Sequence, residues 1–478
     1  MQKENVWNSY TEEQLAELEA LSKRYRAFLD AGKTERECVA ETIRIARAQG
    51  YCSLEEIQAA GRLLQPGDKV YAVGMEKTIA LFVIGERPLE DGMRILGAHI
   101  DSPRLDVKQD PLYEDTEMAY LDTHYYGGIK KYQWVTVPLA IHGVVAKKDG
   151  TKVQVCVGEE DDDPVVFVSD LLIHLSGEQL EKKARVVIEG ENLDILVGSR
   201  PLPGENRKNR MPAASGSAES ASEGRKDAVK QNILTILREK YDMEEEDFLS
   251  AELEIVPADK ARDCGLDRSM IMAYGQDDRV CAYTSLEALL SVPAQEYTCC
   301  CLLVDKEEIG SVGATGMQSR FFENTVAELM ECAGQYRELA LRRALSRSRM
   351  LSSDVSAAYD PLFSGVFEKK NSAYFGKGLV FNKFTGSRGK SGSNDANAEY
   401  IASIRALLDR HGAAYQTAEL GKVDTGGGGT IAYISALYGM EVIDSGVAVL
   451  NMHAPMEVTS KADVYEAVKG YRAFLQEA

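Results

Sequence analysis

The 478-residue chain has no Cys-x-x-Cys pair, no apolar run approaching the length of a membrane span, and only six histidines. Each shortage removes a class of protein. Without closely paired cysteines, zinc sites of the thiolate finger type are excluded. The nine cysteines are odd in number, and Cys299, Cys300 and Cys301 are consecutive within an apolar run. Buried, reduced thiols in a reducing compartment fit that pattern better than a disulfide framework. The first thirty positions carry acids and polar residues, and no run there approaches the length of a membrane span. Basic charge is also scarce: 55 Lys and Arg face 75 Asp and Glu, a net charge of -20. Such a chain repels nucleic acid and anionic membranes, and the expectation is a cytoplasmic protein with neither as partner. A phosphate loop is not supported, because Phe384 stands where Gly389-Lys390-Ser391 would need the first glycine of the Walker pattern.

What is present is enough apolar sequence, 44%, for a large core in two or three domains. Residues 10–48 show helical periodicity, with Leu15, Leu18, Leu21 and Tyr25 on one stripe and Val39, Ile43 and Ile45 later. Short β-branched or aromatic runs at 69–75, 79–84 and 94–99 follow as strands. Between 111 and 254 the texture changes to many short β-like runs (134–139, 144–147, 152–157, 165–168), which reads as an inserted β-rich domain. Within it, 203–227 is Ser/Ala/Gly/Glu-biased and is expected to be an exposed, mobile loop. Strand and helix signals then alternate: strands at 269–274, 298–304, 379–384, 439–443 and 448–450, with helices at 280–290, 323–345, 395–409 and 462–475. The expectation is an α/β domain in two parts, 1–110 and 255–478, interrupted by 111–254, with its site at the strand ends.

Chemistry concentrates where those strands stop. The apolar run 298–304 leads into Asp305-Lys306-Glu307-Glu308-Ile309-Gly310. Successive side chains on a strand face opposite ways, so Glu307 and Glu308 should differ in role unless the strand end bends. The third strand runs into His99-Ile100-Asp101. That spacing puts both side chains on one face, where the imidazole can bind a metal while the carboxylate orients it. Asp277 and Asp278 lie between a strand and a helix. Taken alone, that pair is most simply two helix caps, although a carboxylate can also bridge two cations. Asp354 and His453 each follow an apolar run. With His99, Asp277 and Glu308 they make two histidines and three carboxylates, a set suited to two zinc-like ions bridged by a carboxylate and a water. Glu307 is then left to take a proton from that water and return it to a leaving amine.

The segments GAHIDSPRLD, QDDRV, DKEEIGSVGATG, SSDVSAAYDP and NMHAPMEVTSKAD occur in this order. Together they resemble the M18 metallopeptidases, the aspartyl-aminopeptidase family, over nearly the whole chain. The resemblance implies a three-layer α/β catalytic domain of the zinc-peptidase type, an inserted β-rich dimerisation domain, and a homo-oligomer, usually a tetrahedral dodecamer. It implies two divalent ions per subunit, zinc or else cobalt or manganese. His99, Asp277, Glu308, Asp354 and His453 would be the ligands, with Asp277 bridging, Glu307 the general base and Asp101 a supporting residue. His174 resembles the histidine that reaches into a neighbouring subunit's site. His124, His142 and His411 have no comparable context.

Substrates would be peptides with a free N-terminus. In the run 424–430, Gly427 and Gly428 let a backbone approach a ligand beside the helical stretch 431–437. Acid-preferring members place a lysine in the strand after Lys377-Gly378; here Asn382 holds that position, and Lys383, the candidate for meeting the substrate, follows one residue later, on the opposite face of a strand. An acidic N-terminal preference is therefore open, and neutral or basic N-termini are the alternative. Other readings are a dinuclear carboxypeptidase or deacylase, and a non-catalytic scaffold of the same fold.

Overall fold

The computed structural model describes residues 4–202, 227–386 and 389–477. The chain divides into two compact units, one built from 1–102 and 260–478 and the other from 103–259. The sequence-based limits at 111 and 254 fall inside the strands Arg104–Asp115 and Ala251–Pro257. The expectation for 203–227 lies outside the described residues except for Asp227. No helix among the described residues is long and apolar enough to cross a membrane.

The first unit is organised by a nine-stranded sheet. Its four central strands, Thr298–Val304, Met93–His99, Arg349–Ser353 and Glu441–Gly446, run parallel in that order. Their side chains alternate between two cores. Leu96, Ala98, Cys299, Cys301, Leu303, Leu351 and Ile443 pack on one face with helix residues such as Tyr25, Leu286 and Tyr471. Ile95, Cys300, Leu302, Met350 and Val442 pack on the other with Phe322, Leu329 and Leu341. Strands buried on both faces read as continuous apolar runs, and the result is a three-layer α/β unit. The three consecutive cysteines are wholly buried within it, and all nine are free thiols. Burial pushes the Cys299 thiol up to about 12, which keeps it protonated and inert.

A second, five-stranded sheet in the same unit joins Met270–Ala273 to Glu457–Ser460 and then to Ala448–Leu450. It brings together two segments far apart in sequence, the entry to the helix Gln276–Ser291 and the loop between 450 and 457. The inserted unit holds a seven-stranded sheet, in which Leu139–Ala146 pairs with both Lys152–Val157 and Ala251–Pro257.

Two sequence-based expectations need correction. The helix expected over 323–345 is two helices, Phe321–Cys332 and Glu338–Ser346. Gly334 adopts φ +66° just past the first, the left-handed conformation that closes a helix and that glycine takes without strain. The strand expected over 134–139 begins only at Leu139. Thr136 at φ +61° turns the chain there, and Pro138 has no N–H to offer a ladder.

The central strands come into very close contact where they end. The Asp354 N–H donates to the Ser445 carbonyl at 2.7 Å, and a Cβ on Gly446 would stand 1.8 Å from the Asp354 carbonyl oxygen. Gly446→Ala is therefore expected to cost about 1–3 kcal/mol through backbone displacement. A thermal melt would show it as a lowered midpoint, and an unchanged midpoint would contradict the close approach.

Candidate active site

Parallel α/β sheets place their sites at the carboxyl ends of the strands, and this unit follows that rule. His99 is the last residue of Met93–His99 and pairs with Val304 in the neighbouring strand. Beyond Val304 the chain turns at Lys306, φ +67°, into the short 3-10 helix Glu307–Ile309, which Gly310 ends at φ +97°. The two glutamates thus sit on one tight turn and not on opposite faces of a strand, so both can face one cavity. Asp354 follows Arg349–Ser353 directly.

Asp277 and His453 come from the ends of the smaller sheet. Asp277 and Asp278 have non-helical dihedrals at the start of Gln276–Ser291, so neither behaves as an ordinary first-turn residue. The two aspartates also differ in surroundings. Asp277 Oδ1 lies 3.3 Å from His99 Nε2, and its Oδ2 lies 3.2 Å from His453 Nε2. Asp278 is buried and reaches neither histidine ring in this way; burial holds its carboxyl well above the ordinary range.

Two ligand triads share Asp277. One joins His99, Asp277 and Asp354, and the other joins Asp277, Glu308 and His453. His99 Nε2 is 3.9 Å from Asp354 Oδ1, and His453 Nε2 is 3.5 Å from Glu308 Oε2. Zinc held at its usual bond lengths in a tetrahedron separates its ligand atoms by about 3.3 Å, close to these spacings. Glu308 Oε1 is buried without a hydrogen-bond partner, as an oxygen kept for a cation would be. The donor set, imidazole and carboxylate, suits zinc and its first-row neighbours.

The electrostatics point the same way. Burial, with the negative charge of Asp277 second, holds the Glu308 carboxyl well above its ordinary range. Burial and Asp278 do the same to Asp354. Asp277 is an exception: burial would raise it, but hydrogen bonding to His453 and His99 holds it below the usual carboxylate range. Burial opposes charge on His99, yet Asp101 and Asp277 push its imidazole well above the ordinary value. A cluster that draws positive charge this strongly fits divalent cations.

Two carboxylates act on the backbone. Asp101 is fully buried; its Oδ1 accepts from the Glu307 N–H at 3.1 Å and its Oδ2 from the Glu308 N–H at 3.2 Å. Its carbonyl oxygen lies 3.0 Å from His99 Nδ1. One residue therefore fixes the Glu-Glu turn and one face of the imidazole. Glu457 does the equivalent work on the other side, with Oε2 accepting from the Asp277 N–H at 2.8 Å and Oε1 from the His453 N–H at 2.7 Å. Sequence reasoning passed over Glu457. Its signal was an acid entering a buried strand four residues after His453.

Glu307, Glu308, Asp277, Asp354 and His453 line a cavity of about 470 Å³, together with Gly427 and Gly428. Glu307 Oε2 is 4.0 Å from His99 Nε2. Burial pushes the Glu307 carboxyl up to about 7, the range in which a group both takes and gives a proton at neutral pH. Lys383 is not brought to this cavity; it is half exposed, with Nζ 3.8 Å from Asp395. Asn382 lines the wall instead. His174 lies in the inserted unit, on the short turn Ile173–Leu175. Of the remaining histidines, His142 is buried against Glu159, His411 meets Glu477, and His124 is exposed.

Comparison with known proteins agrees with this geometry. The family model described as aminopeptidase I zinc metalloprotease (M18) matches residues 28–475. A probable M18 family aminopeptidase 1 of Clostridium acetobutylicum is 62% identical over 98% of this chain and 97% of its own length. The crystal structure of aminopeptidase I from that organism superposes with a TM-score of 0.88 at 60% identity, covering all of both chains. The M18 aminopeptidase structure from Thermotoga maritima gives 0.91 at 43% identity, also over both full chains. The chain belongs to the M18 family of zinc metalloproteases and is a metal-dependent aminopeptidase.

Proposed function

We propose that the cavity removes N-terminal residues from peptides with two divalent ions, one in each triad, and with Glu307 as general base. The observation that carries this is the sharing of Asp277. Each of its oxygens faces a different histidine, as a carboxylate between two cations would. Bound there, divalent ions supply Lewis acidity and bring the pKa of a water toward neutrality.

The protein's own groups do the rest. Glu307 accepts the proton of the attacking water and hands it to the nitrogen of the leaving amine. A carboxyl raised by burial suits both halves of that exchange. Asp101 holds the Glu307 and Glu308 amides, so that the base keeps its position while Glu308 stays with its triad. The free N-terminus of the substrate is drawn by the acidic wall, and Gly427 and Gly428 leave room for the peptide backbone to pass close. Zinc is the metal this reading favours, with cobalt and manganese compatible with the same donors.

We also propose that the inserted unit serves self-association. Leu171, Leu172, Ile173 and Leu175 are exposed together around His174, which suits a surface that a second copy covers. In such an assembly His174 would donate a hydrogen bond to the substrate in the neighbouring cavity.

Glu307→Gln should lower kcat by about 10²–10⁴-fold while the purified protein keeps its zinc. Near-normal turnover, by a free-amine reporter assay, would remove Glu307 from the role. The same assay should show no cleavage of N-blocked peptides, and loss of activity under a chelator with recovery on adding zinc. Glu457→Gln sets an amide N–H₂ against a backbone N–H at one of its two contacts. Zinc retention in a chelator competition should weaken by about 10–100-fold, and wild-type retention would show that Glu457 does not support the ligands.

A further inference from the structure

The cavity wall includes residues that neither triad nor the proton transfer uses: Asn382, Thr385, Glu419, Thr430 and Asp444. Asp444 lies within the central strand Glu441–Gly446 and is 2% exposed. Its Oδ1 accepts from the Thr430 hydroxyl, and its Oδ2 is buried with no hydrogen-bond partner. Thr385 Oγ1 is a second buried, unpartnered oxygen on the same wall. Buried polar atoms are almost always paired, so an unpaired carboxylate oxygen beside an unpaired hydroxyl on one cavity wall suits a ligand donor that reaches both.

The charge balance states what kind of donor. Two divalent ions would neutralise Asp277, Glu308, Asp354 and Glu307, and Glu419 and Asp444 would remain. Among the described residues lining the cavity there is no lysine or arginine to offset them. Asn382 pairs directly with Asp444 across antiparallel strands, so the two side chains share one face. Its amide is already engaged: Nδ2 donates to the Ala418 carbonyl at 2.9 Å, and Oδ1 accepts from the Ser356 hydroxyl at 2.7 Å. A substrate carboxylate would find no cation on this wall and one buried carboxyl facing it. A substrate ammonium or guanidinium would find an acceptor.

Resting on the two-ion aminopeptidase reading, we propose that Asp444 selects the N-terminal side chain, and that the preferred substrates are peptides beginning with lysine or arginine. Its carboxylate receives the cationic end of that side chain, and Thr385 Oγ1 supplies a second acceptor. Thr430 fixes the rotamer through Oδ1, so that Oδ2 is the oxygen left for the ligand.

The test is a kcat/KM profile of the zinc-loaded full chain on lysyl, arginyl, leucyl, aspartyl and glutamyl reporter amides. Lysyl and arginyl substrates are expected to exceed aspartyl and glutamyl ones by at least about tenfold, the scale of one hydrogen bond to a charged group. Asp444→Asn should lower the lysyl-to-leucyl ratio by about tenfold, mainly through KM, with zinc content unchanged. Asn382→Lys, which places a cation opposite Asp444, should raise the glutamyl-to-lysyl ratio and keeps the inference testable if the first variant does not fold. A wild type that prefers aspartyl or glutamyl substrates overturns the selectivity and leaves the aminopeptidase reading standing. So does an Asp444→Asn variant with an unaltered ratio. A wild type inert toward every free-amine substrate overturns both.

Discussion

Asp277 stands between two imidazoles, and the rest of the site depends on that placement. Burying a carboxylate is costly, and burying several beside one another is prohibitive without compensating positive charge. Here Asp277 and Asp278 are buried and Glu308 and Asp354 partly so, all close together. Only Asp277 is held below its ordinary pKa, because histidines flank both of its oxygens. Burial raises the others, and a cation among them would favour their ionised forms. Metal binding and ionisation of the cluster are in that sense one event.

A cluster that repels itself needs a rigid frame, and the frame is made of backbone hydrogen bonds to two further acids. Asp101 spends both carboxylate oxygens on the amides of Glu307 and Glu308, and Glu457 spends both of its oxygens on the amides of Asp277 and His453. Each buried acid thus holds a pair of functional residues by their main chain, leaving their side chains free. Three of the four amides lie far from their partners in sequence, so residues of both triads are tied to strand ends in two different sheets. The geometry survives only if both sheets keep their register.

That arrangement explains what could be read from the sequence and what could not. The central strands were legible because strands buried on both faces are continuous apolar runs, and Thr298–Val304 and Met93–His99 both have that form. The residues that the fold brings together in the two triads were legible because histidines and acids directly after such runs are out of place unless they serve a site. Glu457 and Asp444 were not, since both lie inside strands and their meaning comes from partners elsewhere. The Asp277 amide that Glu457 holds is 180 positions away. The Glu307-Glu308 turn was half legible: the strand before it was plain, but the left-handed Lys306 that puts both side chains at one cavity leaves no mark in composition. Lys383 shows the reverse case, where a residue type suggested substrate contact and the strand's alternation turned it outward.

The cavity separates chemistry from choice. On the proposed function, proton transfer and metal ligation would come from the ends of Met93–His99, Thr298–Val304 and Arg349–Ser353 and from the smaller sheet. The side-chain wall comes from Leu379–Asn382, from Glu441–Gly446 and from the glycine-rich segment before Ala432–Ala436. Leu379–Asn382 runs antiparallel to its neighbour and stands outside the four-strand parallel core. A substitution at 382 therefore alters the wall without moving a ligand, since no triad residue hydrogen-bonds to that side chain. Asp444 is more constrained. It belongs to a central strand and is bonded through Thr430 to the glycine-rich loop on the cavity wall. Any change of charge there is felt by the loop through Thr430, so on the proposed selectivity substrate preference would vary more readily at position 382 than at 444.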